Sequence, residues 1–203
     1  MNQELIDRLK GKTLDDQKDV ELISTGCYAL NRIISGDYAK GLPVGRIVQL
    51  QGNSSTGKTL FATTFLAAAQ KAGWYTKMLD AENTFSKGFG TKLGIDPKGL
   101  LYSTPTNLEE AFEDVEKTVD EIRGFDKETP ILIAIDSVAV LPTREEMERD
   151  SIGEISNTDG ARRALIFGSL LRKISHKLEK NRTTLLVINQ IRSKINVMYG
   201  NPD

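Results

Sequence analysis

Short apolar runs and helical patterns alternate along most of the chain. Ile47–Leu50, a mainly apolar run after Pro43 and Gly45, predicts a strand. Lys58–Lys71 is rich in Ala, Leu and Phe, lacks proline, and predicts a buried helix closed by Gly73. Trp74–Leu79 and Leu100–Ser103 read as two further strands. In Asn107–Arg123 the apolar residues fall at Leu108, Ala111, Phe112, Val115, Val119 and Ile122, one face of a helix, with Asn107 and Glu110 placed for a capping box. Ile131–Ile135 is five consecutive apolar residues, the pattern of a strand covered on both faces. Ala161–Lys180 carries Ala164, Phe167, Leu171, Ile174 and Leu178 on one side of a helix, and Thr184–Ile188 is a last strand. Strands separated by helices predict an α/β fold with a mainly parallel sheet flanked by helices.

The N-terminal stretch differs. Gln3–Lys10 has a weak apolar stripe (Leu5, Ile6, Leu9) that reads as a short helix, and the polar residues after it read as a linker. The chain thus divides into residues 1–18 and a core from 19 to 203. No repeat with a period of 20–50 residues is present. The closing Gly200-Asn201-Pro202-Asp203 reads as a turn rather than as the end of a domain.

Composition narrows the function classes. The 203 residues are 39% hydrophobic and 27% charged, and 27 Lys+Arg stand against 28 Asp+Glu for a net charge of −1. That balance is of the ordinary globular kind and excludes a disordered tail or a wholly basic nucleic-acid binder, while leaving room for a local basic face. No run approaches the ~18–20 apolar residues of a membrane span, and Met1–Lys10 does not read as a secretory leader. The single cysteine, Cys27, fits a reducing, cytoplasmic compartment.

The chemistry is concentrated at strand ends. Gly52-Asn53-Ser54-Ser55-Thr56-Gly57-Lys58-Thr59 matches G-x-x-x-x-G-K-[ST] in full, directly after a predicted strand and at the start of a predicted helix. Small residues let backbone N–H groups close round a phosphate, and the helix start adds its positive end. In such a loop Lys58 reaches the β/γ-phosphates and the Thr59 hydroxyl ligates Mg²⁺. Asp136, closing the all-apolar strand, is placed as the second metal-holding group. Asp80 and Glu82 end the strand after the loop's helix, and either is placed to orient an attacking water. Asn189-Gln190 follows the last strand, where an amide is placed to read a γ-phosphate.

These stretches together resemble the RecA family of DNA strand-exchange ATPases. The matching residues are Leu22-Ile23-Ser24-Thr25-Gly26, Gly41-Leu42-Pro43-Val44-Gly45-Arg46-Ile47-Val48 and the phosphate loop. Further on they are Asp80-Ala81-Glu82, Ile135-Asp136-Ser137-Val138-Ala139-Val140-Leu141, Asn189-Gln190-Ile191-Arg192-Ser193-Lys194-Ile195 and Val197-Met198-Tyr199-Gly200-Asn201-Pro202-Asp203. The resemblance runs in order from about Asp19 to the last residue. It implies a RecA-like ATPase core, ATP and Mg²⁺ as cofactors, single- and double-stranded DNA as partners, and a helical homo-oligomeric filament on which the N-terminal helix packs against a neighbouring subunit. It implies Glu82 as the general base and Gln190 as the γ-phosphate sensor coupled to a DNA-binding loop just after it. Phe89 falls where the family stacks an aromatic on adenine, although Ser86 stands where the family usually has Asp. A first DNA-binding loop would lie around Ile152–Asp159, where Gly153–Thr158 is a partial match. The second such loop would follow Asn201-Pro202, so the resemblance implies a chain cut short within the family's core. A ring-forming helicase or clock-type ATPase on the same core, or a non-catalytic nucleotide-binding regulator, are the alternatives.

Charge is uneven along the helices. Ala161–Arg182 carries seven bases against Glu179 alone, a face suited to phosphodiester backbone or to plain solvation. Asn107–Glu128 carries nine acids against three bases and is expected to face away from DNA. His176, the only histidine, reads as a surface residue.

Overall fold

The computed structural model describes residues 19–148 and 159–190. The expected N-terminal helix and linker, the first DNA-binding loop and the segment after Gln190 lie outside the described residues.

Five strands form one parallel sheet: β3 (Ile47–Gly52), β4 (Tyr75–Asp80), β5 (Leu100–Ser103), β6 (Ile131–Asp136) and β7 (Thr183–Gln190), in the spatial order β3-β7-β6-β4-β5. Two short strands, β1 (Leu22–Ile23) and β2 (Leu42–Pro43), form a separate antiparallel pair. The helices are α1 (Tyr28–Ser35), α2 (Lys58–Lys71), α3 (Lys87–Lys92), α4 (Leu108–Phe125), α5 (Arg144–Met147) and α6 (Asp159–Lys180).

The all-apolar run behaves as a strand covered on both sides. Side chains alternate across a strand. Ile131, Ile133 and Ile135 join a core with Ala111, Phe112, Val115 and Val119 of α4 and Ile174 and Leu178 of α6. Leu132 and Ala134 join a second core with Ala62, Phe65, Leu66 and Ala69 of α2. Strand β7 divides in the same way, Leu185 and Val187 against Leu186 and Ile188. One layer of helices therefore lies on each face of the sheet.

Four strands run further than their apolar residues. β3 reaches Gly52, β4 Asp80, β6 Asp136 and β7 Gln190. Ladder hydrogen bonds need backbone, not apolar side chains, so pairing continues into the polar residues. The register sets Asp80 beside Asp136 and Gly52 beside Gln190.

Asn107 caps α4 by accepting from Glu110 N at 2.8 Å, but the Glu110 carboxylate accepts from Thr106 N at 2.7 Å. The expected box is thus displaced by one residue. α1, missed by the periodicity, is held by fully buried Asn31, whose Oδ1 accepts from Thr25 N and Thr25 Oγ1 at 2.8 Å each.

The acidic and basic helices, α4 and α6, pack on the same face of the sheet. Lys177 Nζ donates to Glu116 Oε1 at 3.0 Å and to Asp120 Oδ2 at 2.7 Å. Arg182 pairs with Glu21 at 2.6 Å and Arg162 with Glu145 at 2.8 Å. Part of the basic charge of Ala161–Arg182 is therefore spent within the fold, while Arg172, Lys173, His176 and Lys180 remain exposed.

Candidate active site

In an open parallel sheet, ligands bind beyond the carboxyl ends of the strands. Here the carboxyl ends of β3, β7, β6 and β4 lie side by side and carry the loop Gly52–Thr59, Gln190, Asp136 and Asp80. Asn53, Ser54, Ser55 and Thr56 are exposed. Gly57, at φ +87°, is the N-cap of α2 and has no side chain to bond the helix's first N–H groups. Those donors and the positive end of the helix are left for an anion. A Cβ on Gly52 would meet Thr56 Oγ1 at 3.1 Å, so the loop is tight as well as small. Lys58 Nζ lies over the loop, donating to Gly52 O at 3.0 Å and Asn53 O at 2.6 Å.

Thr59 Oγ1 donates to Asp136 Oδ2 at 2.6 Å, joining residues 77 positions apart. Burial, with Glu82 and Asp80 nearby, pushes the Asp136 carboxyl up to about 6, against the opposing pull of the Thr59 hydroxyl. A hydroxyl and a carboxylate side by side are hard oxygen ligands of the kind Mg²⁺ takes alongside phosphate oxygens.

The two carboxylates of Asp80-Ala81-Glu82 separate by environment. Asp80 is fully buried. It accepts from Phe85 N at 2.8 Å, Thr84 N at 3.3 Å and Tyr102 OH at 2.8 Å, so its oxygens are taken up in holding the loop after β4 to β5. Burial, together with that contact, pushes the Tyr102 hydroxyl up to about 12. Glu82 is partly exposed, and its Oε1 accepts from Ser137 Oγ at 2.6 Å and Gln190 Nε2 at 2.8 Å. Strands β4, β6 and β7 thus bring Glu82, Ser137 and Gln190 to one point. In the sequence Ser137 is one residue of a matching stretch, and its chemical partner lies 55 positions away.

Phe89 lies on α3, 37% exposed, and Ser86 caps that helix by accepting from Phe89 N at 3.2 Å. Serine here supplies the cap that an aspartate also supplies. Among the described residues no group of three or more His, Cys, Asp or Glu forms a metal cluster, and no helix is long and apolar enough to cross a membrane.

The RecA N-terminal domain profile matches residues 4–203, the same span that carries this site. The chain belongs to the RecA family. Curated relatives agree along nearly all of it. A protein RecA of Bacteroides thetaiotaomicron is 38% identical over 189 residues, 93% of this chain and 53% of its own. Those of Streptomyces venezuelae and Mesoplasma florum are 39% and 36% identical, over 92% and 93% of this chain. The chain spans about half the length of these relatives. Its RecA-like core is the five-stranded parallel sheet with helices on both faces.

Proposed function

We propose that this RecA-family chain is the nucleotide-binding part of a recombinase that binds single-stranded DNA with ATP, exchanges homologous strands in recombination and repair, and hydrolyses ATP when DNA is bound. One observation carries the reading: the phosphate loop, the Thr59–Asp136 pair and the Glu82–Gln190 pair meet at the carboxyl edge of one sheet. The loop residues Gly52–Thr59 cradle the triphosphate, and Lys58 carries the charge that faces its β and γ groups. Thr59 and Asp136 hold Mg²⁺, which supplies charge neutralisation on the transferred phosphoryl group. Glu82 takes the proton of a water whose oxygen bonds to the γ-phosphorus, while the bond from that phosphorus to the β–γ bridging oxygen breaks and ADP leaves with the electron pair.

Gln190 reads the γ-phosphate through its amide. Its bond to Glu82 Oε1 links sensing to the base, and the segment it heads is where the resemblance puts DNA. Phe89 stacks on adenine. The exposed bases of α6 support a DNA-facing role for that helix. The working form is a cytoplasmic helical filament. The test is ATP turnover with and without single-stranded DNA in the chain lengthened to match its relatives, with electron microscopy under a slowly hydrolysed ATP analogue. DNA-stimulated turnover and helical filaments are expected. Closed rings would favour a helicase-type ATPase, and nucleotide binding without turnover a regulator.

A further inference from the structure

We propose that Ser137 is a positioning residue for hydrolysis, acting through Glu82; this rests on the reading of Glu82 as the base. Ser137 is fully buried and follows Asp136 at the end of β6. Its hydroxyl donates to Glu82 Oε1 at 2.6 Å. One residue earlier, the Asp136 carbonyl accepts from Ala81 N at 2.7 Å and from Glu82 N at 3.4 Å. Glu82 is therefore attached by main chain and side chain to two consecutive residues at the end of a neighbouring strand. The first of these, through its carboxylate, accepts from Thr59 of the phosphate loop. Loop, metal-side carboxylate and base are mounted on one dipeptide, Asp136-Ser137.

The side of the carboxylate that Ser137 takes has a consequence. Among the described residues both hydrogen bonds to Glu82 fall on Oε1, from Ser137 and from Gln190, which leaves Oε2 open to accept a proton from water. A glutamate has three side-chain torsions to fix, and a small misplacement of a reacting group costs rate steeply. The Gln190 amide has two N–H groups, and rotating it to present both to a γ-phosphate oxygen withdraws the one that holds Glu82 Oε1. When the amide turns to the phosphate, Ser137 is the donor that keeps the carboxylate aimed. The small side chain fits a fully buried point, and its loss leaves no buried orphan, since Glu82 is partly exposed and can take a water in exchange.

The experiment is a double-mutant cycle on the 203-residue chain: wild type, Ser137→Ala, Glu82→Gln and both together. Hydrolysis of γ-labelled ATP is followed under single-turnover conditions, at saturating protein and over days if needed. Binding of Mg·ADP and of Mg·ADP with tetrafluoroaluminate, a transition-state mimic, is measured alongside. Ser137→Ala should slow hydrolysis about 10- to 100-fold, weaken the mimic by a similar factor, and leave Mg·ADP and Mg·ATP affinity within about twofold. In the Glu82→Gln background it should change neither rate nor mimic affinity. Wild-type values for both readouts in Ser137→Ala would overturn the proposal, as would a further full loss in the Glu82→Gln background, which marks a role independent of Glu82. A Glu82→Gln chain that hydrolyses at the wild-type rate would instead overturn the base assignment itself. If turnover of every variant lies below detection, the mimic-to-ADP affinity ratio decides by the same pattern.

Discussion

Lys58 is the one cation in the stretch Gly52–Thr59, and its ammonium lies against the carbonyls of Gly52 and Asn53. No other side chain in the loop carries positive charge, so Lys58→Ala should lower Mg·ATP affinity more than tenfold with the fold intact; unchanged affinity on titration would count against the loop assignment. Asp80 and Glu82 sit two residues apart but differ in what their oxygens do. Glu82→Gln should keep ATP bound and slow single-turnover hydrolysis by ~10²–10⁴-fold. Asp80→Asn should slow it less and cost stability, because Thr84 N, Phe85 N and Tyr102 OH all donate to that carboxylate. The reverse order of rates would exchange the two roles.

Asp136 adds a pH dependence. Burial raises its carboxyl from the ordinary 3.8 to about 6, so the fold holds that proton more tightly than the unfolded chain does. Its contribution to stability is therefore greatest below about pH 4, declines as pH rises to about 6, and is level above. The difference is of the order of 1–3 kcal/mol. Asp136→Asn should remove that slope from denaturation midpoints measured without metal between pH 4 and 7. It should also reduce Mg²⁺-dependent nucleotide affinity. A wild-type slope persisting in Asp136→Asn would assign the pH dependence to another group.

At the scale of elements, the sheet was legible wherever an apolar run was long enough to have a period. Ile131–Ile135 announced a strand with helices on both sides, and the six-position stripe from Leu108 to Ile122 announced α4. The strand pair Leu22–Ile23 and Leu42–Pro43 has two residues on each side, too few to show alternation. α3 and α5 are held by caps at Ser86 and Thr143 rather than by an apolar face. The site was legible as strand ends, and Thr59 with Asp136 as joint metal holders, but the contact of Glu82 with Gln190 was not. Glu82 meets Gln190 across 108 positions, and only the order of strands brings them together.

Lys77 was equally opaque: a charged residue inside β4 that the structure buries. Its Nζ donates to Asp114 Oδ1 at 2.7 Å and Thr118 Oγ1 at 2.9 Å, and Ser103 donates to the other Asp114 oxygen at 2.5 Å. Burial pushes the Asp114 carboxyl up, but Lys77 and Ser103 outweigh it and hold it below the ordinary range. These bonds tie β4 and β5 to α4. Asp114→Ala strands a buried ammonium and should cost about 3–5 kcal/mol in chemical denaturation, whereas Lys77→Met with Asp114→Leu should come close to neutral. A single substitution no worse than the double would show that the pair adds nothing.

For the whole molecule, the proposed reading is that a site assembled at the carboxyl ends of one sheet is coupled to elements further along the chain. The curated relatives are about twice as long. The resemblance puts the second DNA-binding loop after Asn201-Pro202. The groups placed at the phosphates lie at the carboxyl ends of β3, β4, β6 and β7 or at the start of α2. The 203-residue polypeptide should therefore bind ATP weakly and hydrolyse it only at a basal rate, without stimulation by DNA. Gln190 can pass a γ-phosphate signal onward only if the loop it heads can close on DNA. The order β3-β7-β6-β4-β5 also leaves β3 and β5 at the edges of the five-stranded sheet among the described residues. The lengthened chain should regain DNA-stimulated hydrolysis and lose it again on Gln190→Ala, while Gln190→Ala in the short polypeptide should leave the response to DNA unchanged at zero. The measurement is ATP turnover of both lengths with and without single-stranded DNA. Robust stimulation of the short polypeptide would move DNA coupling to α6, whose exposed Arg172, Lys173, His176 and Lys180 are the basic face the described fold leaves open.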